Sequence, residues 1–418
     1  MHRKQIFILS TLSVLILSCL CPMTNIAEQI SDQFAPQEPF EIVEQLPSET
    51  PVPEELVLDP PPDTLIYRAN LERTGVYQSA GPKTSPKLLW KFNTEGVISD
   101  SSPVVYRRIA YIGSEIGLYA VDIQTGQSLW IYQTKGSVHT SPSIEDGIIY
   151  FGSEDGLLHA LDCLTGDQLW TFVTGGEIRS SPILFEGMLY FGSDDGFFYA
   201  LDALTGQETW RFEVAGNVDS FAGFYKAVRA APAISNGSVL FGNTKIGGAS
   251  AELKFYALDT RTGEVRWEFD PWNLTSSPAV EDGVVYFGGF MSFLGLDLES
   301  GSPVFSFGTD WGISPPAILD GIAYFGCDNG YLHALDLQTN EEIWVFESGR
   351  SVTIDTAPSI ADGVVYAGSG DGFLYAVDLR TGHLLWEFET GGWISSSPVI
   401  VDGVIYFGSA DGYLYAVE

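Results

Sequence analysis

Basic side chains are scarce in this chain of 418 residues. It has 20 Lys and Arg against 54 Asp and Glu, which gives a formal net charge of −34 at pH 7. A surface of that sign repels phosphate backbones, so we exclude nucleic acids as partners. The acidic excess does not by itself indicate a cationic partner, because turn-rich proteins use Asp and Glu as turn residues.

Cysteine is scarce too, with four in the chain, two of them within the first 21 residues. Cys163 and Cys327 follow predicted strands whose turns lie on opposite faces of the fold inferred below, so we expect no disulfide between them. The sequence also lacks a Gly-x-Ser-x-Gly elbow, a Gly-rich phosphate loop and a His/Asp/Glu cluster at metal-ligand spacing. It therefore predicts no catalytic residue and no metal site.

The abundant feature is a repeat of about 40 residues. One copy, residues 147–170, holds two short β-rich runs joined by Asp-Gly, then an Asp-x-x-Thr-Gly turn and Trp170. Aromatic and β-branched residues bounded by Gly and Asp are typical of strands, and Gly supplies the positive φ that tight turns need. With an upstream strand at residues 141–144, each copy forms a four-stranded sheet that must stack on other copies.

Eight copies follow one another. The repeat's Trp occurs seven times and is Phe305 in one copy, while a Pro before the inner strand occurs eight times. The tryptophans are Trp90, Trp130, Trp170, Trp210, Trp267, Trp344 and Trp386; the prolines are Pro103, Pro142, Pro182, Pro232, Pro278, Pro316, Pro358 and Pro398.

The order of these marks predicts a closed ring. The first repeat element is an outer strand at residues 87–93, and the last is a third strand at residues 412–418. The two ends therefore complete one sheet. We predict an all-β, eight-bladed β-propeller with four antiparallel strands per blade, closed by the strand around Trp90 joining the C-terminal blade. The alternative, an open solenoid, would need capping ends, and none is visible.

The motif Ala-x-Asp-x-x-Thr-Gly-x-x-x-Trp joins the third strand to the outer strand. It occurs at residues 120–130, 160–170, 200–210, 257–267 and 376–386, has Asn340 in place of Gly at 334–344, and is degenerate at 295–305. It resembles the tryptophan-docking motif of the pyrroloquinoline quinone (PQQ)-type propeller repeat. That superfamily includes quinoprotein alcohol dehydrogenases and the propeller lipoprotein of the outer-membrane β-barrel assembly machine. The resemblance implies that each Trp packs between neighbouring blades, and it leaves function open.

The N-terminal region has a different character. Residues 1–20 are predicted to be a signal peptide with a basic start and an apolar run too short to span a bilayer. The sequence Ile-Leu-Ser-Cys resembles a lipoprotein signal with Cys19 as the lipidated residue; simple secretion and an uncleaved anchor are the alternatives. Residues 21–64 are predicted to be a disordered Pro- and Glu-rich tether, and residues 65–418 the propeller. We expect an exported protein in the periplasm or at the cell surface, held to a membrane by lipid.

Outer-to-inner and second-to-third connections share the face around the channel mouth. Two connections of blade four, at residues 214–228 and 243–252, exceed the repeat minimum. They make Phe221, Phe224 and Tyr225 candidate binding residues, with drift in a tolerant loop as the alternative. Three further tryptophans, Trp272, Trp311 and Trp393, lie in outer-to-inner connections. Exposed indoles there suit stacking on a sugar, a quinone or a peptide, and the alternative is that they plug the mouth as a local core.

The residues three positions before the inner-strand prolines form two arcs of different character in ring order. The cationic arc is His139, Arg179 and Arg229, and the opposite arc is Asp355, Ser395 and Asp100. Our hypothesis is that the cationic arc binds a carboxylate or a phosphate at the mouth. The alternative is that the two arcs neutralise each other through water.

The sequence thus favours a monomeric, non-enzymatic binding or scaffold propeller that presents its mouth face to a protein or glycan and needs no cofactor. The first alternative is a PQQ-dependent oxidoreductase, which would require PQQ and calcium. Relatives of that kind carry an adjacent Cys pair, which this propeller lacks. The second alternative, assembly of outer-membrane proteins, rests on family analogy.

Overall fold

The computed structural model describes residues 67–214, 225–246, 253–271, 276–289, 291–309, 311–350 and 352–418. Within these ranges the secondary structure is β throughout, and no helix has the length and apolarity to cross a membrane. The predicted signal peptide, Cys19 and the tether lie outside the described residues.

Eight four-stranded antiparallel sheets form the blades, and the strands of each blade run in order from the inner to the outer edge of its sheet. The first four blades are Val104–Tyr106, Ile109–Gly113, Gly117–Asp122 and Ser128–Gln133; Ser143–Glu145, Ile148–Gly152, Leu157–Asp162 and Gln168–Val173; Ile183–Phe185, Met188–Gly192, Phe197–Asp202 and Glu208–Glu213; Ala233–Ser235, Ser238–Gly242, Phe255–Asp259 and Val265–Phe269. The last four are Ala279–Glu281, Val284–Gly289, Ser292–Asp297 and Pro303–Gly308; Ala317–Leu319, Ile322–Gly326, Tyr331–Asp336 and Glu341–Glu347; Ser359–Ala361, Val364–Gly368, Phe373–Asp378 and Leu384–Glu389; Val399–Val401, Val404–Ser409, Tyr413–Val417 and Leu88–Asn93.

The two chain ends close the ring, as predicted. Leu88–Asn93 pairs antiparallel with Tyr413–Val417, and Trp90 lies opposite Ala416. Lys87 and Glu418 extend the pairing with backbone hydrogen bonds of 2.7 and 2.9 Å. The N-terminal strand thus covers the edge of Tyr413–Val417 and completes the four-stranded sheet of the last blade. The eight-bladed propeller is therefore confirmed, and the open solenoid is wrong.

The Asp-x-x-Thr-Gly turn has the geometry that its residues predict. Asp162 Oδ1 accepts the N–H groups of Leu164 and Thr165 at 2.9 Å each, and Gly166 has a φ of 76°. A Cβ on Gly166 would lie 2.8 Å from the Trp130 ring of the preceding blade. The indole of Trp130 donates to Cys163 O at 3.1 Å, so it packs between blades one and two as the resemblance implies.

The segment before the first strand lies inside the ring along the inner edges of blades four to seven, a position that the sequence did not predict. We call residues 67–77 the channel plug. Four of its carbonyl oxygens accept N–H groups from the middle residues of four consecutive inner strands, each at 2.9 Å. The pairs are Leu71 with Ile234, Glu72 with Val280, Thr74 with Ile318, and Gly75 with Ile360. The plug thus satisfies inner-edge donors of blades four to seven.

The residues that follow the channel plug complete the junction between blades seven and eight. The last blade has no Asp-x-x-Thr-Gly turn for Trp386 to pack on, because its third strand, Tyr413–Val417, and its outer strand, Leu88–Asn93, are not consecutive in the sequence. The Trp386 indole instead donates to Pro82 O at 2.9 Å, and Tyr366 Oη donates to the same oxygen at 3.1 Å. The N-terminal segment therefore contributes both a strand and a docking site to the closed ring.

Candidate binding face at the channel mouth

Two sets of loops meet at the face predicted to carry the site. Ile178, in the connection to blade three, donates to Ser153 O at 3.1 Å in the second-to-third turn of blade two. Asp194 in the equivalent turn of blade three donates to Glu177 O at 2.8 Å. These backbone bonds repeat along the ring and fix the loops against each other. The mouth is thus a wall of hydrogen-bonded turns on a rigid scaffold.

Two residues of the predicted cationic arc share one carboxylate. His139 Nε2 lies 3.2 Å from a Glu154 oxygen, and Arg179 forms an ion pair with the same oxygen. Arg179 Nε also donates to Glu177 at 2.9 Å. The next blade along the ring has a simpler ion pair between one cation and one carboxylate. Acidic residues of the turns thus pair with the positive charge on this side of the mouth.

Arg229 holds Asp194 in a forked ion pair. Its Nε lies 3.0 and 3.1 Å from the two carboxylate oxygens, and its Nη2 lies 2.5 Å from one of them. This hydrogen bonding raises the pKa of the Arg229 guanidinium. Sequence reasoning missed Glu154, Glu177 and Asp194, because acidic turn residues recur in every blade. Anion binding by the arc remains a prediction, and an incoming anion would compete with these carboxylates.

The opposite side of the mouth forms a cavity of about 380 Å³. Its lining brings together four of the predicted residues: Asp100, Asp355, Ser395 and Trp393. The Asp100 N–H donates to Ser395 Oγ at 3.0 Å, which fixes two adjacent connections. The indole of Trp393 is 54% exposed, so it presents an apolar face to solvent rather than plugging the mouth.

Negative charge in this cavity has little compensation. Asp355 is exposed to solvent, yet the surrounding channel wall partly desolvates its carboxyl and raises its pKa, and the nearby charges of Asp100 and Asp328 raise it further. His139 Nδ1 lies 4.0 Å from Asp100, at the boundary with the cationic arc. No basic side chain among the described residues perturbs Asp355. The mouth therefore has one half with paired charges and one acidic half with an exposed indole.

Other predicted site residues lie apart from this cavity. Trp311 is 50% exposed and lines a separate cavity of about 310 Å³ with Tyr331, His333 and Glu342. Trp272, Phe221 and Phe224 lie outside the described residues, and only the backbone of Tyr225 is described. That backbone belongs to an additional antiparallel ribbon, in which Tyr225–Ala227 pairs with Thr244–Ile246. The two insertions of blade four thus join each other.

The propeller's cysteines bear on the PQQ alternative. Cys163 and Cys327 are both buried and free, in blades two and six. They cannot form the adjacent pair that the resemblance associates with a PQQ site. In the described ranges no group of three or more His, Cys, Asp or Glu residues is arranged to hold a metal ion. The described residues therefore provide neither the adjacent cysteine pair nor the calcium site that the resemblance associates with PQQ.

Comparison with known proteins identifies relatives of this fold. A family model described as "Outer membrane protein assembly factor BamB" matches residues 120–346 and 328–418. Quinohemoprotein alcohol dehydrogenase from Comamonas testosteroni is 19% identical with a TM-score of 0.72, over 85% of this chain and 80% of that one. BamB from Moraxella catarrhalis is 18% identical with a TM-score of 0.63, over 80% of this chain and 99% of that one.

A computationally designed protein, Ika8, has the same architecture, with 20% identity and a TM-score of 0.63 over 78% of this chain and 98% of that one. No curated protein matches the chain. At these identities the solved structures establish the fold alone. Because they include both a dehydrogenase and an assembly factor, they leave the enzyme question open.

Proposed function

The chain belongs to the PQQ-like propeller family whose model is described as outer membrane protein assembly factor BamB, and from that premise we propose that it is a non-catalytic scaffold of the cell envelope. Its channel-mouth face binds a protein partner. Membership of this family supports an envelope location and a protein partner. The finer role, help in assembling outer-membrane proteins, is part of the same proposal and rests on the family description.

The observation that carries the proposal is the acidic cavity beside Trp393. An exposed indole supplies rigid apolar contact area, and Asp100 and Asp355 supply acceptors for a basic group. A Lys or Arg side chain would stack its stem or guanidinium on the indole and donate to the carboxylates. Buried aromatic contacts of this kind dominate binding energy in protein interfaces. The favoured partner is a protein that presents a basic side chain.

Export and tethering complete the proposal. Residues 1–20 direct export, Cys19 carries the lipid, and residues 21–64 link the lipid-bearing residue to the propeller. Metabolic labelling with a radioactive fatty acid tests the anchor. Cys19→Ser should abolish labelling, whereas Cys21→Ser, two residues away, should retain it. Equal labelling of the two variants would contradict the assignment of Cys19.

Capture of the partner tests the binding face. The full chain is cross-linked in cells, and proteins held by wild type are compared with those held by Trp393→Ala and Asp355→Asn. We expect at least a tenfold loss for each variant, about 1.4 kcal/mol or more of binding energy. Trp311→Ala is the matched control, since it removes an equally exposed indole from a different cavity. Undiminished capture by Trp393→Ala would contradict the proposal.

The glycan alternative and the cationic arc have their own tests. Binding of the purified full chain to immobilised envelope glycans, with no protein captured, would replace the protein partner by a glycan. The anion hypothesis requires that Arg179→Gln combined with Arg229→Gln weakens binding of a carboxylate or phosphate ligand. Unchanged binding of every anion that wild type binds would remove that hypothesis.

A quinoprotein oxidoreductase is the second candidate, favoured by the TM-score of 0.72 to a quinohemoprotein alcohol dehydrogenase. Incubation of the full chain with PQQ and calcium, followed by a dye-linked alcohol or sugar assay, tests it. Turnover that depends on both additions would overturn the non-catalytic proposal. Our expectation is no turnover.

A further inference from the structure

The channel plug contains two arginines that the proposed function does not use. Arg68 is 2% exposed and Arg73 is fully buried. Arg73 Nε donates to Pro232 O at 2.9 Å, and Arg68 Nη2 donates to Pro316 O. These prolines directly precede the inner strands of blades four and six. Both guanidinium groups therefore lie inside the ring, at the mouth-side ends of the inner strands.

The two guanidinium groups are incompletely satisfied. Three of their nitrogens, Nε and Nη1 of Arg68 and Nη2 of Arg73, are buried and have no hydrogen-bond partner. Guanidinium nitrogens are donors only, so these N–H groups require acceptors. Leaving buried donors unpaired is strongly unfavourable, and more so when they carry charge.

The charge of the pair is also uncompensated. No described carboxylate perturbs either group; the nearby influences are the Tyr67 and Tyr77 phenols and, on Arg73, the charge of Arg68. Burial lowers the pKa of Arg68 to about 10 and that of Arg73 to about 9, which leaves both protonated at neutral pH. Two buried positive charges thus lie inside the ring, and the charge of Arg68 acts on Arg73. Burying a charge is costly unless an opposite charge and hydrogen bonds compensate it.

We propose that a small inorganic anion of about chloride size is bound inside the channel, between the guanidinium groups of Arg68 and Arg73. It accepts the three N–H groups that the protein leaves unpaired. The nitrogens are enclosed, which favours a compact anion over a bulky organic one. Since the plug pairs with the inner strands of blades four to seven, the anion fastens the N-terminal segment to half of the ring.

Bromide is the probe, because it replaces chloride and scatters X-rays anomalously. The full chain is unfolded thermally at fixed ionic strength while bromide replaces gluconate. A ligand that binds only the folded state raises the melting temperature with the logarithm of its concentration, and we expect a rise of about 3 °C over a hundredfold range above Kd. Crystals grown in bromide should show an anomalous peak within hydrogen-bond distance of Arg68 and Arg73.

Two variants test whether the bromide response arises at the channel plug. Arg73→Met, which keeps the side-chain length without the charge, should lose the bromide response. Arg261→Met is the matched control, because it removes an exposed guanidinium that already pairs with Glu186; it should keep the response. If Arg73→Met fails to fold, the bromide peak in wild-type crystals decides.

Several results would overturn the proposal. The first is a melting temperature that does not change with bromide concentration. The second is electron density between the two guanidinium groups that fits water alone, and the third is a full bromide response in Arg73→Met. Asp63 is the acidic residue that most closely precedes the channel plug in the sequence. A bromide response that appears only in Asp63→Asn would assign the counter-charge to the chain itself and likewise overturn the proposal.

Discussion

Two neighbouring blade junctions solve one packing problem with different residues. Between blades four and five, Trp267 lies over Gly301, where an added Cβ would come within 2.6 Å of the indole. Between blades five and six, Phe305 takes the place of Trp and Asn340 the place of Gly. Asn340 keeps the left-handed conformation with a φ of 59°, and its side chain donates to Ser306 O at 3.3 Å.

The comparison shows why the repeat needs Gly at this turn. Positive φ alone does not demand it, since Asn also adopts that region readily. The indole of the preceding blade excludes any Cβ, and the smaller Phe305 ring leaves room for one. The two departures in the motif, which look like separate degeneration in the sequence, therefore form a compensating pair.

Truncation of the larger ring should have the largest effect. Trp267 is buried and its indole donates to Leu298 O at 2.8 Å, so Trp267→Ala should lower the free energy of unfolding by about 3–5 kcal/mol. Phe305→Ala, which removes a smaller, partly exposed ring without a hydrogen bond, should lower it by less. Urea unfolding of both variants measures the difference. Equal losses would show that the junctions do not differ as described.

Exchange of the turn residue should have an intermediate effect. Gly301→Asn places a Cβ against the Trp267 indole and should destabilise by about 1–3 kcal/mol, as overpacking does. The same substitution combined with Trp267→Phe should be less destabilising than the sum of the two single changes. Additive losses in this double-mutant cycle would contradict the pairing of ring size and turn residue.

The sequence predicted the parts of this molecule that repeat. A 40-residue period, a Trp and a Pro per copy, and unmatched strands at both ends together determine the ring and its closure. The channel plug was not predictable, because its hydrogen bonds follow no periodicity. Its Arg73 contacts Pro232, 159 residues away in the chain. A segment outside the repeat has no sequence pattern that predicts which residues it will contact.

The candidate site could be predicted only as far as the repeat determines which residues share a face. Ring order placed Asp100, Asp355, Ser395 and Trp393 on one face, and the structure joins them in one cavity. Ring order could not separate Trp311 from them, since the conformation of each connection decides which way an indole points. Nor could it assign the carboxylate partners of the cationic arc, because every blade has acidic turn residues.

A second comparison concerns one position in the third strand. In blades three, seven and eight it is a Tyr whose hydroxyl donates to an Asp four residues earlier. The pairs are Tyr199 with Asp195 at 2.7 Å, Tyr375 with Asp371 at 2.6 Å and Tyr415 with Asp411 at 2.5 Å. Blade two has His159, which is buried and lies 3.7 Å from Asp155, beyond hydrogen-bond distance.

This difference predicts that His159 contributes a pH dependence to the stability of the propeller. Burial lowers the pKa of His159 below its usual 6.5, despite the opposing effect of Asp155. Between the lowered value and 6.5 the unfolded chain binds more protons than the folded one, so stability falls as pH drops through that window. His159→Tyr should remove this loss of stability, whereas His383→Gln, on the exposed edge, should not. Parallel stability–pH curves for wild type and His159→Tyr would show that His159 does not cause the loss.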